Sequence, residues 1–183
     1  MRQLLVFESI SIDGYFTDAD GDMSWAHQSG DDPEFADFIA GNAGSGGELL
    51  LGRTTYDQMA AYWPTPLAAQ QMPHVADGIN RARKYVASRA LAQPAWQNTH
   101  VLRGDLIAAV RELKASAGAP LAVLGSGSVA AQLAAAGLVD RYQFVVVPIA
   151  LGGGRTAFTR RANLRLVAHR AFKNGNVVLT YAS

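Results

Sequence analysis

Hydrophobic positions along the chain fall into short blocks separated by turn-forming residues. Leu4–Ile10 is an apolar run too short for a helix of ordinary length, and Asp13-Gly14 follows it, so it reads as a first strand and a turn. Asp32-Pro33 sets a capping side chain before a proline at the first helical position. It opens a short helix through about Ile39, ended by Gly41, Gly44, Gly46 and Gly47. Glu48–Leu51 is a second strand, and Gly52-Arg53-Thr54-Thr55 hands the chain to a helix carrying Tyr56, Met59 and Ala60. Pro64, Pro66 and Pro73 punctuate a loop-rich crossover before a short helix around Val75–Arg81. Lys84–Ala87, ending at Ser88-Arg89, and Thr99–Leu102 are the third and fourth strands.

Asp105 is placed to cap a helix over Leu106–Ser116, whose Leu106, Ala109, Val110 and Leu113 fall at i, i+3, i+4 and i+7 and form one apolar face. Leu121–Leu124 is a buried-type strand, Gly125-Ser126-Gly127-Ser128 a turn, Val129–Ala136 a helix and Gly137 its stop. Beyond this point the periodicity is that of strands: Tyr142–Ile149, a turn at Leu151-Gly152-Gly153-Gly154, then Leu164–Phe172 and Val177–Tyr181 as a hairpin about Lys173–Asn176. Strands alternating with helices and then strands joined by turns predict an α/β fold. Its sheet is mostly parallel and covered on both faces, with an antiparallel edge.

With 183 residues, 49% of them hydrophobic, the chain supports one substantial core, and a single domain over 1–183 is expected. Sixteen Lys+Arg against fifteen Asp+Glu leave a net charge of +1, without the basic excess that grips a nucleic-acid backbone. The absence of cysteine removes disulfides, thiolate metal sites and thiol nucleophiles together, and fits a reducing compartment. The N-terminal apolar run is too short, and too interrupted by Glu8, for a signal peptide or membrane span, so a soluble cytoplasmic protein without a membrane partner is expected.

Three strand ends carry residues suited to phosphate. At Gly52-Arg53-Thr54-Thr55 the glycine lets backbone approach a ligand, the helix start offers unpaired N–H groups, and arginine and threonine add donors; a turn with a threonine cap uses the same residues. Gly125-Ser126-Gly127-Ser128-Val129 aims its amides where a pyrophosphate can rest on a helix N-terminus, with a serine-capped tight turn as the structural alternative. Gly125, Gly127 and Ala130 satisfy G-x-G-x-x-G/A, yet after the fifth strand rather than the first, where a Rossmann fingerprint belongs. Ser88-Arg89 offers a hydroxyl and a guanidinium suited to a phosphate monoester. All lie at the carboxyl ends of expected strands, the edge where open α/β sheets bind ligands.

No metal site is expected. Asp18-Ala19-Asp20-Gly21-Asp22 starts like a calcium loop, but its sixth and twelfth positions are Met23 and Ser29 instead of glycine and a bidentate carboxylate. His27, His74, His100 and His169 show no H-x-x-H or H-x-x-x-H spacing. A serine hydrolase using Ser126 or Ser128 lacks the G-x-S-x-G elbow.

The order G-R-x-T-Y at Gly52–Tyr56, S-R at Ser88-Arg89 and the turn Gly125–Val129 resembles the dihydrofolate reductase superfamily. Ser11-Ile12-Asp13-Gly14, Trp25, the stretch Gly52–Trp63, Val147-Pro148-Ile149 and Leu151–Gly154 are similar, more narrowly, to the reductase domain of bifunctional riboflavin-biosynthesis deaminase-reductases, over nearly the whole chain. The resemblance implies a three-layer α/β/α sandwich on a mixed, mainly parallel sheet, and a homodimer. It implies that Arg53, Thr54, Thr55, Ser88 and Arg89 surround the adenosine 2′-phosphate end of NADPH, and that Gly125, Ser126, Gly127, Ser128 and Val129 surround its pyrophosphate. Two departures stand out. The helix Pro33-Glu34-Phe35-Ala36-Asp37-Phe38 aligns no acid with the pterin-binding carboxylate of dihydrofolate reductases, and no zinc deaminase domain or cysteine pair is present, which excludes the deaminase step.

The expected activity is NADPH-dependent reduction of a small heterocycle, as in 5-amino-6-(5-phosphoribosylamino)uracil reductase. The alternatives are a dihydrofolate- or pteridine-type reductase and an NADPH-binding module without reductase activity. NADPH is favoured over NADH because Arg53 and Arg89 can meet a 2′-phosphate, whereas a ribose diol calls for an acid. Asp13, ending the first strand, is the candidate catalytic residue that accepts or relays a proton, with an Asx-turn at Gly14 as the competing role. Trp25 either walls the substrate pocket by stacking or packs in the core.

Overall fold

The computed structural model describes residues 1–27 and 32–183; Ser29, the twelfth position of the calcium-loop comparison, lies outside them. In chain order the elements begin with β1 (Leu4–Ser11), β2 (Tyr15–Thr17), a 3-10 turn (Ser24–His27) and α1 (Pro33–Ala43). They continue with β3 (Glu48–Gly52), α2 (Arg53–Tyr62), α3 (Pro66–Gln71), α4 (Pro73–Arg81), β4 (Lys84–Ala87) and β5 (Thr99–Leu102). The remainder are α5 (Leu106–Ala115), β6 (Leu121–Leu124), α6 (Gly127–Ala135), β7 (Arg141–Val147), β8 (Arg155–Thr156), β9 (Arg165–Ala171) and β10 (Val177–Ala182).

Eight strands form one sheet in the order β5-β4-β3-β6-β1-β7-β10-β9. Pairing is parallel from β5 through β7 and antiparallel along β7–β10–β9, the mixed sheet with an antiparallel edge that the pattern predicts. Side-chain alternation splits the core into two layers. Leu4, Val6, Leu50, Tyr85, Leu121, Val123 and Phe144 face α5 and α6, whose Val110, Val129, Ala130 and Leu133 close over them. On the opposite face Leu49, Leu51 and Val86 meet Tyr56 of α2 and Val75 and Ile79 of α4, with Ile39, Ala40 and Ala43 of α1 at the margin. A side chain such as Leu50, fully buried, contributes about 2 kcal/mol of hydrophobic stabilisation. Farther along that face Trp25, Val145, Val147, Phe172 and Val178 form a cluster with Phe7, Phe35 and Phe38.

Most boundaries fall within one or two residues of the sequence pattern, and the larger or more telling differences have local causes. Gly41 does not end α1: the helix continues to Ala43 because Ala40 and Ala43 still have a surface to cover, and Gly44 closes it with its N–H on Ala40 O. The proline-rich crossover is helical, since Thr65 caps α3 through Ala68 N and Pro66 and Pro73 each occupy a first-turn position where no N–H is needed. α6 begins at Gly127, two residues earlier than expected, and β7 stops at Val147, before Pro148. Strands β2 and β8, three and two residues long, pair with each other across more than a hundred positions and carry too little pattern to be legible.

Candidate functional site

β3 and β6 are neighbours in the sheet, and each passes through a glycine into a helix, so α2 and α6 start side by side at the sheet's carboxyl edge. Neither helix has a side-chain cap or an acid in its first turn. By contrast α1, α3 and α5 are capped by Asp32, Thr65 and Asp105, and α4, also without a side-chain cap, opens on Pro73, which has no N–H to offer. Uncapped first-turn amides are donors aimed outward at the positive end of the helix dipole, which suits an anion.

The hydroxyls that the pattern offers as caps do something else. Ser126 Oγ accepts from Gly52 N at 2.9 Å and donates to Leu124 O at 3.0 Å, and Thr55 Oγ1 donates to Gly125 O at 2.9 Å. The two turns are thereby tied into one cradle. Gly125 has φ +53°, a left-handed conformation that glycine adopts without strain. Gly127 is required for a different reason: a Cβ there would lie 2.0 Å from Cζ of Phe16 in β2. Ser126 and Val129 are buried, while Arg53, Thr54 and Ser128 are exposed at the rim.

Ser88-Arg89 follows β4, which pairs with β3 so that Gly52 stands opposite Ala87. The three expected phosphate segments therefore form a row across β4, β3 and β6. Ser88 Oγ accepts from Ala90 N and Leu91 N and stiffens its turn, leaving Arg89 exposed. Asp57 grips Arg53 through Nε at 2.7 and 2.8 Å, one helical turn on, which orients the guanidinium while its terminal nitrogens make no bond among the described residues.

Asp13 sits where β1 turns, and its carboxylate accepts from Ser11 Oγ at 2.5 Å, from Gly152 N at 2.7 Å and from Leu151 N at 3.1 Å. The Ser11 hydroxyl and the Gly152 amide lower its pKa to about 2. At neutral pH it is an ionised clamp joining the first turn to the 151–152 loop, a geometry that leaves little basicity for a proton relay. Trp25 is 7% exposed, packs on Val145, Val147 and Phe172, and donates Nε1–H to Asp22 O at 3.2 Å. It is a core residue of the outer layer, and stacking on a ligand through an open face is not what the structure gives it.

Glu8, which in the sequence pattern only interrupts an apolar run, is a further candidate at this edge. It is 2% exposed, both carboxylate oxygens lack a hydrogen-bond partner among the described residues, and burial pushes its pKa up to about 8. The sequence carries the signal, since a lone acid on the inward register of a central strand has no solvent to face.

A mainly parallel sheet with an antiparallel hairpin edge and an anion-receptive carboxyl edge defines a dihydrofolate-reductase-like α/β domain. Residues 2–178 match the model of the RibD C-terminal domain, and the chain belongs to that family, which makes it a reductase of the RibD type. It is 26% identical over 186 residues to the uncharacterized protein YyaP of Bacillus subtilis (strain 168), covering 98% of this chain and 94% of that protein. A putative riboflavin biosynthesis protein from Shewanella sp. PV-4 superposes with a TM-score of 0.70 at 20% identity, over 98% of each chain. A pyrimidine reductase-like protein from Corynebacterium diphtheriae superposes at 0.59 and 16% identity, over 99% of this chain and 91% of that one. These two share the fold.

Proposed function

We propose that this protein is an NADPH-dependent reductase of a small planar heterocycle, of the kind handled by the 5-amino-6-(5-phosphoribosylamino)uracil reductase of riboflavin biosynthesis. The observation that carries the reading is the pairing of two uncapped helix N-termini, α2 and α6, joined through Gly52 N and Ser126 Oγ at the carboxyl edge. Such a cradle fits a pyrophosphate, and Arg53 and Arg89, exposed on the same edge, fit a 2′-phosphate. Family membership and the riboflavin- and pyrimidine-related neighbours agree with it.

NADPH, when bound, supplies the hydride; the chain binds it, orients it and keeps the cleft ordered. Gly125–Ser128 and the first turn of α2 hold the phosphates. Asp13 acts as a positioning residue, fixing the first turn against Leu151 and Gly152 so that the rim beside the cradle keeps its shape. Titration with NADPH and NADH, followed by fluorescence of Trp25, Trp63 and Trp96, tests this reading. Saturable binding that prefers NADPH is expected, and the absence of binding by either nucleotide overturns it. Oxidation of bound NADPH by pyrimidines in preference to folates then fixes the substrate class.

A further inference from the structure

Glu8 stands at the point where the sheet meets the cradle. Parallel pairing sets Leu4 opposite Leu121, Val6 opposite Val123 and Phe7 opposite Leu124, so the next rung brings Glu8 level with Gly125, whose N–H approaches Phe7 O at 3.5 Å. On its other side Glu8 pairs with Phe144 of β7. Alternation along β1 puts its side chain with those of Leu4 and Val6, on the face covered by α6. Gly125 has no side chain to intervene, and α6 begins two residues later. A carboxyl without a hydrogen-bond partner thus lies behind the same helix N-terminus that faces the cleft.

We propose that Glu8 is a proton-linked determinant of cofactor affinity: its carboxyl must stay neutral for the α6 N-terminus to accept the pyrophosphate, so proton and cofactor bind together. The inference rests on the cofactor reading above. An ionised Glu8 would be a second anion at one positive helix end, and a neutral Glu8 leaves that end to the ligand. Linkage makes the effect mutual, because a pyrophosphate in the cradle holds the proton on Glu8 more tightly.

Among the described residues no neighbour supplies a countercharge. The facing positions are Val123 and Gly125 of β6, Phe144 and Tyr142 of β7, and Val129, Ala130 and Leu133 of α6. Tyr142 is the one titratable group among these, and burial pushes its hydroxyl upward, so it stays neutral over the same range. Tyr15 on β2 and Arg155 on β8 are the ionisable residues of the ribbon at this end. Burial alone raises the Glu8 pKa, to about 8, which places the switch in reach of experiment.

The test measures the NADPH dissociation constant from pH 6.5 to 9.5 for the wild type and for Glu8→Gln, a range in which the pyrophosphate does not change charge. Wild-type affinity is expected to fall at least about fivefold between pH 7.5 and 9.5, while Glu8→Gln stays flat. A flat wild-type profile, or an equal fall in both proteins, overturns the proposal and leaves the cofactor reading intact. Absence of binding even at pH 6.5, where Glu8 is neutral, overturns the cofactor reading and this proposal with it. If Glu8→Gln does not fold, Glu8→Leu replaces it, since an apolar residue suits that layer, and the same comparison decides.

Discussion

The two edges of the sheet are built on opposite principles. At the amino edge every buried charge has an answer. Arg2 pairs with Glu48 and donates to Ala119 O, and Lys114 meets Asp140 and Leu138 O. Lys84, without exposed surface, donates to the carbonyls of Asn80, Ala82 and Gln97 beneath the Trp96 ring. At the carboxyl edge two helices leave their first turns uncapped, and a carboxyl goes without a partner. Matched charges make the amino edge a foundation, and the surplus of donors makes the carboxyl edge receptive. Among the described residues the buried charges of the amino edge are answered, although the Thr99 hydroxyl that opens β5 beside Lys84 is not, and the carboxyl edge keeps helix N–H donors and a carboxyl unmatched.

This contrast predicts that damage to the amino edge is read as stability and damage to the carboxyl edge as binding. The largest effect is expected from Lys84→Ala, which takes a buried ammonium away from the carbonyls of Asn80, Ala82 and Gln97 and opens a cavity. A loss of about 3 kcal/mol in urea unfolding is expected, with NADPH affinity unchanged at temperatures where the variant is folded. Equal affinity loss would mean that the edges are not independent. Gly127→Ala comes next, since its Cβ has no room beside Phe16. Overpacking should cost about 2 kcal/mol in thermal or chemical unfolding, and the displaced first turn of α6 should weaken NADPH as well.

Arg53→Ala and Arg89→Ala should each weaken NADPH about tenfold while leaving NADH and stability nearly unchanged. An equal loss for both nucleotides removes the arginines from the 2′-phosphate. Asp13→Asn should lower turnover with little change in NADPH binding, because it loosens a loop and touches no phosphate segment. The Asp13 clamp also has a pH signature. Its folded pKa, about 2, lies below the ordinary 3.8, so its contribution is present above pH 3.8 and disappears as pH falls toward 2. Acid unfolding curves of wild type and Asp13→Asn should therefore differ least at the lowest pH.

The legibility of the sequence divides along the same line. Runs such as Leu121–Leu124 and the Asp105 cap carry their structure locally, and the structure has them at those positions. The glycine turns after β3 and β6 were also visible, because a strand, a glycine and a small polar residue before a helix form a local signature. What they do was less visible. Ser126 and Thr55 look like caps in sequence and are cross-links in space, a difference that depends on partners 74 and 70 residues away. The Asp13 clamp reaches 138 and 139 residues, to Leu151 and Gly152, and its local pattern suggests a turn instead. Trp25 is a similar case, since stacking and packing use the same ring and only the buried neighbours decide.

The position of β1 has a consequence for how the molecule comes into being. β1, the first of the ten strands here, lies between β6 and β7, so Leu4 waits for Leu121 and Leu5 for Arg141. During synthesis the apolar residues 4–10 emerge long before either flank exists, and the central seam closes only once residues 121–147 have left the ribosome. Such distant pairing slows folding and keeps a sticky segment unpartnered on the way. Glu8, awkward in the finished core, is in that interval the one charge in the run and helps keep the nascent strand in water.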